Sequence, residues 1–119
     1  MTPASASARA VDPTYSAVLS DLRSASGLTY DEIALATGVK LRQVQNWANG
    51  SSRPERAKSD RLLRLKYVVE LLSEVYLPEG VDIWLHSPKR ALDGRRPIDV
   101  LAEEDFSEIT MLAQRLAWS

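Results

Sequence analysis

Residues 28–50 read LTYDEIALATGVKLRQVQNWANG and carry the signals of two short helices joined by a tight turn. Thr29 and Glu32 match a capping box, in which each side chain accepts a hydrogen bond from the other residue's backbone N–H at a helix start. Gly38 can adopt the left-handed conformation that ends a helix in a tight turn. With a second helix predicted over 41–48, this spacing is typical of a helix-turn-helix.

In the second of these helices, inward-facing Val44 and Trp47 leave polar side chains on the outer face. Arg offers a fork of donors that suits guanine, and Asn and Gln pair bidentately with adenine. Such a helix lies in the major groove of DNA, while neighbouring cations contact phosphates. The predicted DNA-binding residues are Lys40, Arg42, Gln43, Gln45, Asn46, Asn49 and Arg53. A helical hairpin with an ordinary polar surface is the alternative interpretation.

The charge distribution supports a nucleic-acid contact in the middle of the chain. The net charge of the whole chain is -1, but residues 40–66 carry eight basic and two acidic side chains, a net of +6, and residues 67–119 have a net of -5. DNA phosphates respond to the local field rather than to the total charge. A long helix with a solvated, charged face would give the same basic cluster.

Helix signals continue towards both ends of the chain. Asp12 followed by Pro13 is a helix start, and further helices are predicted over 13–24, 55–77, 79–86, 98–103 and 107–117. The predicted fold is therefore all-α, a small helical bundle. We expect residues 1–11 to form a disordered tail. The predicted regions are 12–54 for the helix-turn-helix, 55–77 for a long connecting and dimerisation helix, and 78–119 for binding a protein partner.

The composition argues against several classes of protein. The chain has no cysteine and a single histidine, His86, whereas a metal site needs several ligands at suitable spacing. It also lacks a glycine-rich phosphate loop and a nucleophile–base pair, so we predict neither an enzyme nor a cofactor. The N-terminus has no apolar run, and no stretch approaches the roughly 20 apolar residues that span a bilayer. We therefore expect a cytoplasmic protein that does not contact membranes.

Two tryptophans in the second half are candidate contact residues. Trp118 lies one residue from the C-terminus, where its own chain can hardly bury it, and aromatic side chains are enriched at binding hot spots. The alternative is that Trp118 packs back on its own helix. Trp84 fits a recognition surface, or more readily the core, because it lies at helical spacing with apolar neighbours.

Two stretches resemble known antitoxins. Residues 28–50 resemble Xre-type helix-turn-helix proteins, in which a Trp and then Asn-Gly end the recognition helix. Residues 83–101, IWLHSPKRALDGRRPIDVL, resemble the toxin-binding domain of the Xre/MbcA/ParS antitoxins. That pattern is Trp-Leu, two residues, Pro-Asn, then Leu, a Gly-rich turn, and Pro before a short apolar helix. Lys89 replaces the usual Asn, the Gly-rich turn is shortened to Asp93-Gly94-Arg95, and Lys40 replaces a Ser or Thr N-cap.

The resemblance implies an antitoxin of a type II toxin–antitoxin system. Its partner would be a RES-domain toxin, which consumes NAD, and the antitoxin would cover the toxin's active site and repress its own operon by binding double-stranded operator DNA. The expected toxin-binding residues are Trp84, Pro88, Arg90, Leu92, Arg95, Arg96, Arg115, Leu116, Trp118 and Ser119.

Other functions remain open from the sequence alone. The apolar stripe of the long helix, with Leu65, Val69 and Leu72, faces either the chain's own core or a second copy. A homodimer formed through this stripe would set two recognition helices about one DNA turn apart. A small dimeric repressor without a toxin partner is one alternative function. A protein-binding module whose helix-turn-helix no longer binds DNA is another.

Overall fold

The computed structural model describes residues 13–103 and 105–119, and these residues form seven α-helices and no strand. The elements are α1 Pro13–Ser26, α2 Tyr30–Thr37, α3 Leu41–Ala48, α4 Arg56–Ser73, α5 Pro78–His86, a short 3-10 helix Arg90–Leu92, α6 Pro97–Ala102 and α7 Phe106–Trp118. The prediction of an all-α chain is confirmed. The predicted tail, residues 1–11, lies outside the described residues.

The start of α2 and the turn into α3 have the predicted chemistry. The hydroxyl of Thr29 accepts from the backbone N–H of Glu32 at 3.1 Å, and the Glu32 carboxylate accepts from the backbone N–H of Thr29 at 3.0 Å. Gly38 ends α2 with φ 76°, and its N–H donates to the carbonyl of Ala34. Since most side chains disfavour this φ, Gly38 sets the direction in which the chain leaves α2 for α3.

Helix α3 is anchored by buried side chains on its inner face and by a hydrogen bond at its C-terminal end. Val44 and Trp47 are buried in the core. At the helix end, the hydroxyl of Ser16 in α1 donates to the carbonyl of Ala48 at 2.8 Å, which satisfies one of the backbone acceptors that a helix leaves unpaired. The opposite face of α3 therefore remains at the surface on a rigid support.

Helix α4 is shorter than predicted, because it ends at Ser73 rather than at residue 77. The chain closes with a tight turn in which the N–H of Val75 donates to the carbonyl of Leu72, and Pro78 then begins α5. Leu65, Val69 and Leu72 are at most 2% exposed. Of the two alternatives for this stripe, the burial supports packing in the chain's own core and not pairing with a second copy, since the chain's own helices already cover the three residues.

One hydrophobic core joins both halves of the chain. Helix α4 lies against α1, α2, α5 and most extensively α7, while α2 packs on α6 and α1 packs on α5. The buried cluster extends from Val18 in α1 to Ala113 in α7. Close-packed interiors transmit strain, so the first three helices and the C-terminal helices form one mechanical unit.

The C-terminal helices begin slightly earlier than predicted. Pro78 and Pro97 occupy the first turns of α5 and α6, where a missing N–H has no cost. Helix α7 starts at Phe106, which is 4% exposed and joins Ile109 and Ala113 in the core. Because Leu112 is only partly buried, the edge of α7 leaves apolar surface accessible.

Candidate binding surfaces

The outer face of α3 carries the polar side chains that the sequence predicts for DNA contact. Arg42, Gln43 and Gln45 are exposed on α3, and Asn46 is half-buried. Lys40 precedes the helix and Asn49 follows it, both exposed, and Arg53 is exposed in the next loop. The helix therefore presents one continuous polar and basic face to solvent.

In two of these residues, Gln43 and Asn49, the side-chain oxygen already accepts a backbone hydrogen bond at an end of α3. The Gln43 amide oxygen accepts from the backbone N–H of Lys40 at 3.0 Å, and Asn49 Oδ1 accepts from the N–H of Ser51 at 2.9 Å. The side chain of Lys40 has no oxygen that could accept a hydrogen bond at the start of α3. The Gln43 contact therefore supplies part of the stabilisation that a Ser or Thr N-cap would give. Among the described residues, Arg42 and Gln45 form no side-chain hydrogen bond, and they are the members of the set best able to contact base edges.

A second surface surrounds an apolar pocket between α5, the 3-10 helix and α7. Its volume is about 300 Å³. Trp84 is 9% exposed and forms part of the wall, while the ammonium of Lys89 lies 4.7 Å from the centroid of its ring. Partial burial lowers the pKa of Lys89. Trp84 is among the contact residues predicted from the sequence, whereas Lys89, Ala91 and Leu112, which line the same pocket, are not.

The loop between α5 and α6 is closed by its own backbone. The N–H of Lys89 donates to the carbonyl of Arg95, and the N–H of Gly94 donates to the carbonyl of Lys89. Asp93 and Gly94 both have positive φ, 58° and 83°, a conformation that Asp tolerates and Gly adopts freely. Two consecutive residues in the left-handed conformation therefore replace the longer Gly-rich turn of the family pattern.

Leu92, Arg95 and Arg96 mainly hold this loop in place. Leu92 is fully buried, so its inclusion among the contact residues is corrected: it supports the surface from beneath. Arg95 bonds the carbonyl of Leu92 and pairs with Glu103 at 3.2 Å. Arg96 forms two bonds to Asp99, at 2.8 and 2.9 Å, which raise the pKa of Arg96 and lower that of Asp99.

The C-terminal end of α7 projects an aromatic side chain into solvent. Trp118 is 66% exposed, contrary to the alternative in which it packs back on its own helix. Arg115 and Ser119 are also exposed, whereas Leu116 is half-buried beside the pocket. The exposed Pro88 and Arg90 lie in the neighbouring loop. These residues give the C-terminal half an accessible surface with both apolar and cationic groups.

One polar contact links the two halves directly. His86, at the end of α5, places Nε2 at 2.5 Å from a carboxylate oxygen of Glu32, the capping residue of α2. Its Nδ1 faces the backbone carbonyl of Asp82 at 2.8 Å. A metal site at His86 is not expected from the sequence, and no other role for this histidine follows from the sequence alone. Its partner is 54 positions away in sequence, so no local pattern pointed to the pair.

Neither a membrane-spanning helix nor a metal cluster is found in the described part of the chain. No helix within residues 13–103 or 105–119 is long and apolar enough to cross a membrane. In those same ranges, no group of His, Cys, Asp and Glu side chains is arranged to hold a metal ion.

Comparisons with known proteins identify relatives of this chain. Residues 77–111 match the family described as the antitoxin Xre/MbcA/ParS C-terminal toxin-binding domain. A probable mycobacterial cidal antitoxin of Mycobacterium tuberculosis is 41% identical over 88 residues, which cover 74% of this chain and 75% of the relative. The mycobacterial cidal antitoxin MbcA of Mycobacterium bovis is 32% identical over 91 residues, 76% of this chain and 80% of the relative.

A solved structure extends the likeness to the fold. A chain in the crystal structure of the M. tuberculosis MbcT-MbcA toxin–antitoxin complex superposes with a TM-score of 0.72 at 29% sequence identity, over 87% of this chain and 93% of that chain. Because the superposed region covers 87% of this chain, the likeness is not confined to a common helical motif. The chain belongs to the Xre/MbcA/ParS family of antitoxins.

Proposed function

We propose that this chain silences a RES-domain toxin by covering the toxin's active site with its C-terminal half, and that it represses its own operon through α3. The observation that carries the first part is the exposure of Trp118, 66%, at the end of a helix that also borders an apolar pocket. A large exposed aromatic beside an apolar recess is typical of a protein-binding surface. The chain would act by binding, without a reaction of its own.

The C-terminal end of α7 carries the side chains that we propose to enter the toxin's active site. Arg115, Trp118 and Ser119 are exposed there. Tryptophan and arginine side chains are enriched at the hot spots of protein interfaces. We infer that these residues occlude the pocket in which the toxin binds NAD.

Operator binding is supported by the outer face of α3. Arg42 and Gln45 are exposed there, and the rigid support beneath them comes from buried Val44 and Trp47. Base contacts gain specificity when the reading side chains are held in fixed positions. The cations that follow α3, including exposed Arg53 and Arg56, would contact phosphates and set the orientation.

We propose a homodimer on the operator, since two-fold related proteins read two half-sites. Its interface would lie outside the buried stripe of α4 that contains Leu65. A chain that binds both an operator and a toxin that consumes NAD would act in the cytoplasm. The alternative function, a dimeric repressor without a toxin, shares the DNA contact and differs only in the C-terminal surface.

Co-expression with the adjacent gene tests the toxin assignment. The chain is produced together with the neighbouring gene product, and the tag is placed on that product alone. We expect the untagged chain to co-purify and to restore growth to cells that express the neighbour. A neighbour that is toxic and purifies without the chain would exclude neutralisation by direct binding. A gel shift with the chain's own upstream DNA tests the operator assignment separately.

A further inference from the structure

The pocket between α5 and α7 combines an apolar interior with a cationic rim. Its apolar lining comes from Trp84, Leu112 and Leu116. Its rim carries Lys89, Arg90 and Arg115. The volume of about 300 Å³ lies at the lower end of the range for small-molecule sites. This size suits one bulky side chain better than a nucleotide.

The three rim cations are unusual in this part of the chain. Residues 67–119 have a net charge of -5, and the neighbouring Arg95 and Arg96 are paired with Glu103 and Asp99. Within residues 13–103 and 105–119, however, no carboxylate pairs with Lys89, Arg90 or Arg115. Three like charges around one recess repel each other unless an anion lies between them.

The position of Lys89 adds to this argument. Its ammonium lies over the Trp84 ring at 4.7 Å, and it is half-buried. Partial burial disfavours the charged form and lowers the pKa of Lys89. An incoming carboxylate would compensate that loss of hydration, whereas an uncharged occupant would increase it.

We infer that this pocket receives a bulky apolar side chain of the toxin whose neighbour in the toxin sequence is Asp or Glu, with the carboxylate bound by Lys89 and Arg115. The inference rests on the proposed function and specifies the chemistry of its partner. A phosphate or a nucleic-acid backbone would satisfy the cations but would leave the apolar lining exposed. A purely apolar segment would fill the recess but would leave the cations unpaired.

Three variants test the two halves of this inference. Ala91→Trp fills the recess from its wall, and Lys89→Glu and Arg115→Glu reverse the rim charges. Each is expected to weaken binding to the toxin at least tenfold, as loss of a central contact does. The matched control is Arg64→Glu on α4, an exposed arginine that does not line the pocket; the affinity of this variant should equal that of the original chain. The affinities are measured by calorimetry with the purified product of the adjacent gene.

A crosslink identifies the occupant directly. Ala91→p-benzoylphenylalanine, irradiated in the complex, should attach to a toxin segment in which a large apolar residue adjoins Asp or Glu. Replacing that carboxylate by Lys should restore binding to Lys89→Glu, and this rescue excludes a folding defect as the cause. Crosslinking to a segment without a carboxylate would overturn the inference. So would unchanged affinity of all three variants.

These outcomes separate the inference from the proposed function. If the original chain binds and silences the toxin while Ala91→Trp and both charge reversals do so equally well, only the pocket assignment fails. If the original chain does not bind the toxin at all, the proposed function itself fails.

Discussion

His86 and Glu32 form an ion pair that connects the last turn of α5 to the capping box of α2. Both side chains are about three-quarters buried, with exposed fractions of 27% and 24%. Both ring nitrogens of His86 face oxygen acceptors, the Glu32 carboxylate and the Asp82 carbonyl. Because the neutral ring carries only one N–H, this arrangement favours the doubly protonated, charged form.

The pair should make folding stability depend on pH. Partial burial opposes the charge on His86, but the hydrogen bonds and negative charges of Glu32 and Asp82 outweigh it, so the pKa of His86 is raised above 6.5. Partial burial would likewise raise the pKa of Glu32, but the bonds from His86 and Thr29 dominate and lower it below 4.5. The His86 contribution is lost as pH rises through its raised pKa, and the Glu32 contribution is lost as pH falls through its lowered pKa.

His86→Gln should therefore lower the free energy of unfolding by roughly 1 kcal/mol. The loss of stability should be largest at pH values between 4.5 and 6.5, the ordinary pKa values of the two groups. Urea unfolding of both proteins across the pH range measures this. The difference should shrink above the raised pKa of His86. A difference that stays constant into alkaline solution would mean that His86 acts through packing and not through its charge.

Trp47→Ala should destabilise the chain by about 4 kcal/mol, because it removes a large side chain that is 3% exposed and leaves a cavity under α3. The neighbouring Gln45→Ala removes an exposed side chain and should change stability by less than about 0.5 kcal/mol. Chemical unfolding compares the two. Similar values for both variants would show that α3 is not anchored through Trp47.

If α3 binds the operator as proposed, Arg42→Ala and Gln45→Ala should each weaken that binding by roughly tenfold, since each would remove a base-edge contact. Gln114→Ala, on α7, removes a glutamine far from α3 and serves as the control. Gel shifts with the chain's upstream DNA measure the affinity at one fixed salt concentration, because phosphate contacts depend strongly on salt. If both α3 variants bind like the original chain, the groove assignment is wrong.

Removal of residues 115–119 should abolish toxin neutralisation and leave operator binding intact. The deletion also removes half-buried Leu116, so Trp118→Ala provides a milder test. The Trp118 side chain is 66% exposed, and its removal should change the free energy of unfolding by less than about 0.5 kcal/mol. Leu35→Ala, at an apolar residue 63% exposed on α2, is the matched control. Growth of cells that express the toxin is the readout. Full rescue by the truncated chain would exclude the tail from neutralisation.

Local signals predicted the helices well, since capping boxes, Pro starts and glycine turns act within a few residues. Thr29, Gly38 and Pro97 are examples whose roles follow from their neighbours alone. The end of α4 was misplaced because Tyr76 continues the apolar spacing after the helix has ended. The sequence left open whether the stripe of α4 that contains Leu65 faces its own chain or a partner, because the apolar spacing is the same in both cases.

The candidate sites were predicted in outline but not in detail. Outer residues of α3 follow from the helical period, yet the local bonds of Gln43 and Asn49 depend on cap geometry. The family pattern located the loop after Trp84, but not the pairing of Arg95 and Arg96 with acidic side chains. The Lys89–Trp84 contact and the His86–Glu32 pair join residues through the fold, where spacing in sequence gives no guidance.

Neutralisation by direct binding is measured as the rate of NAD loss that the purified product of the adjacent gene catalyses while this chain is titrated into the reaction. We expect the rate to fall to background as the chain saturates the toxin. The Arg42→Ala variant should lower the rate equally, whereas NAD loss should persist with the chain that ends at residue 114. An undiminished rate at saturating concentrations of the full chain would exclude the proposed neutralisation.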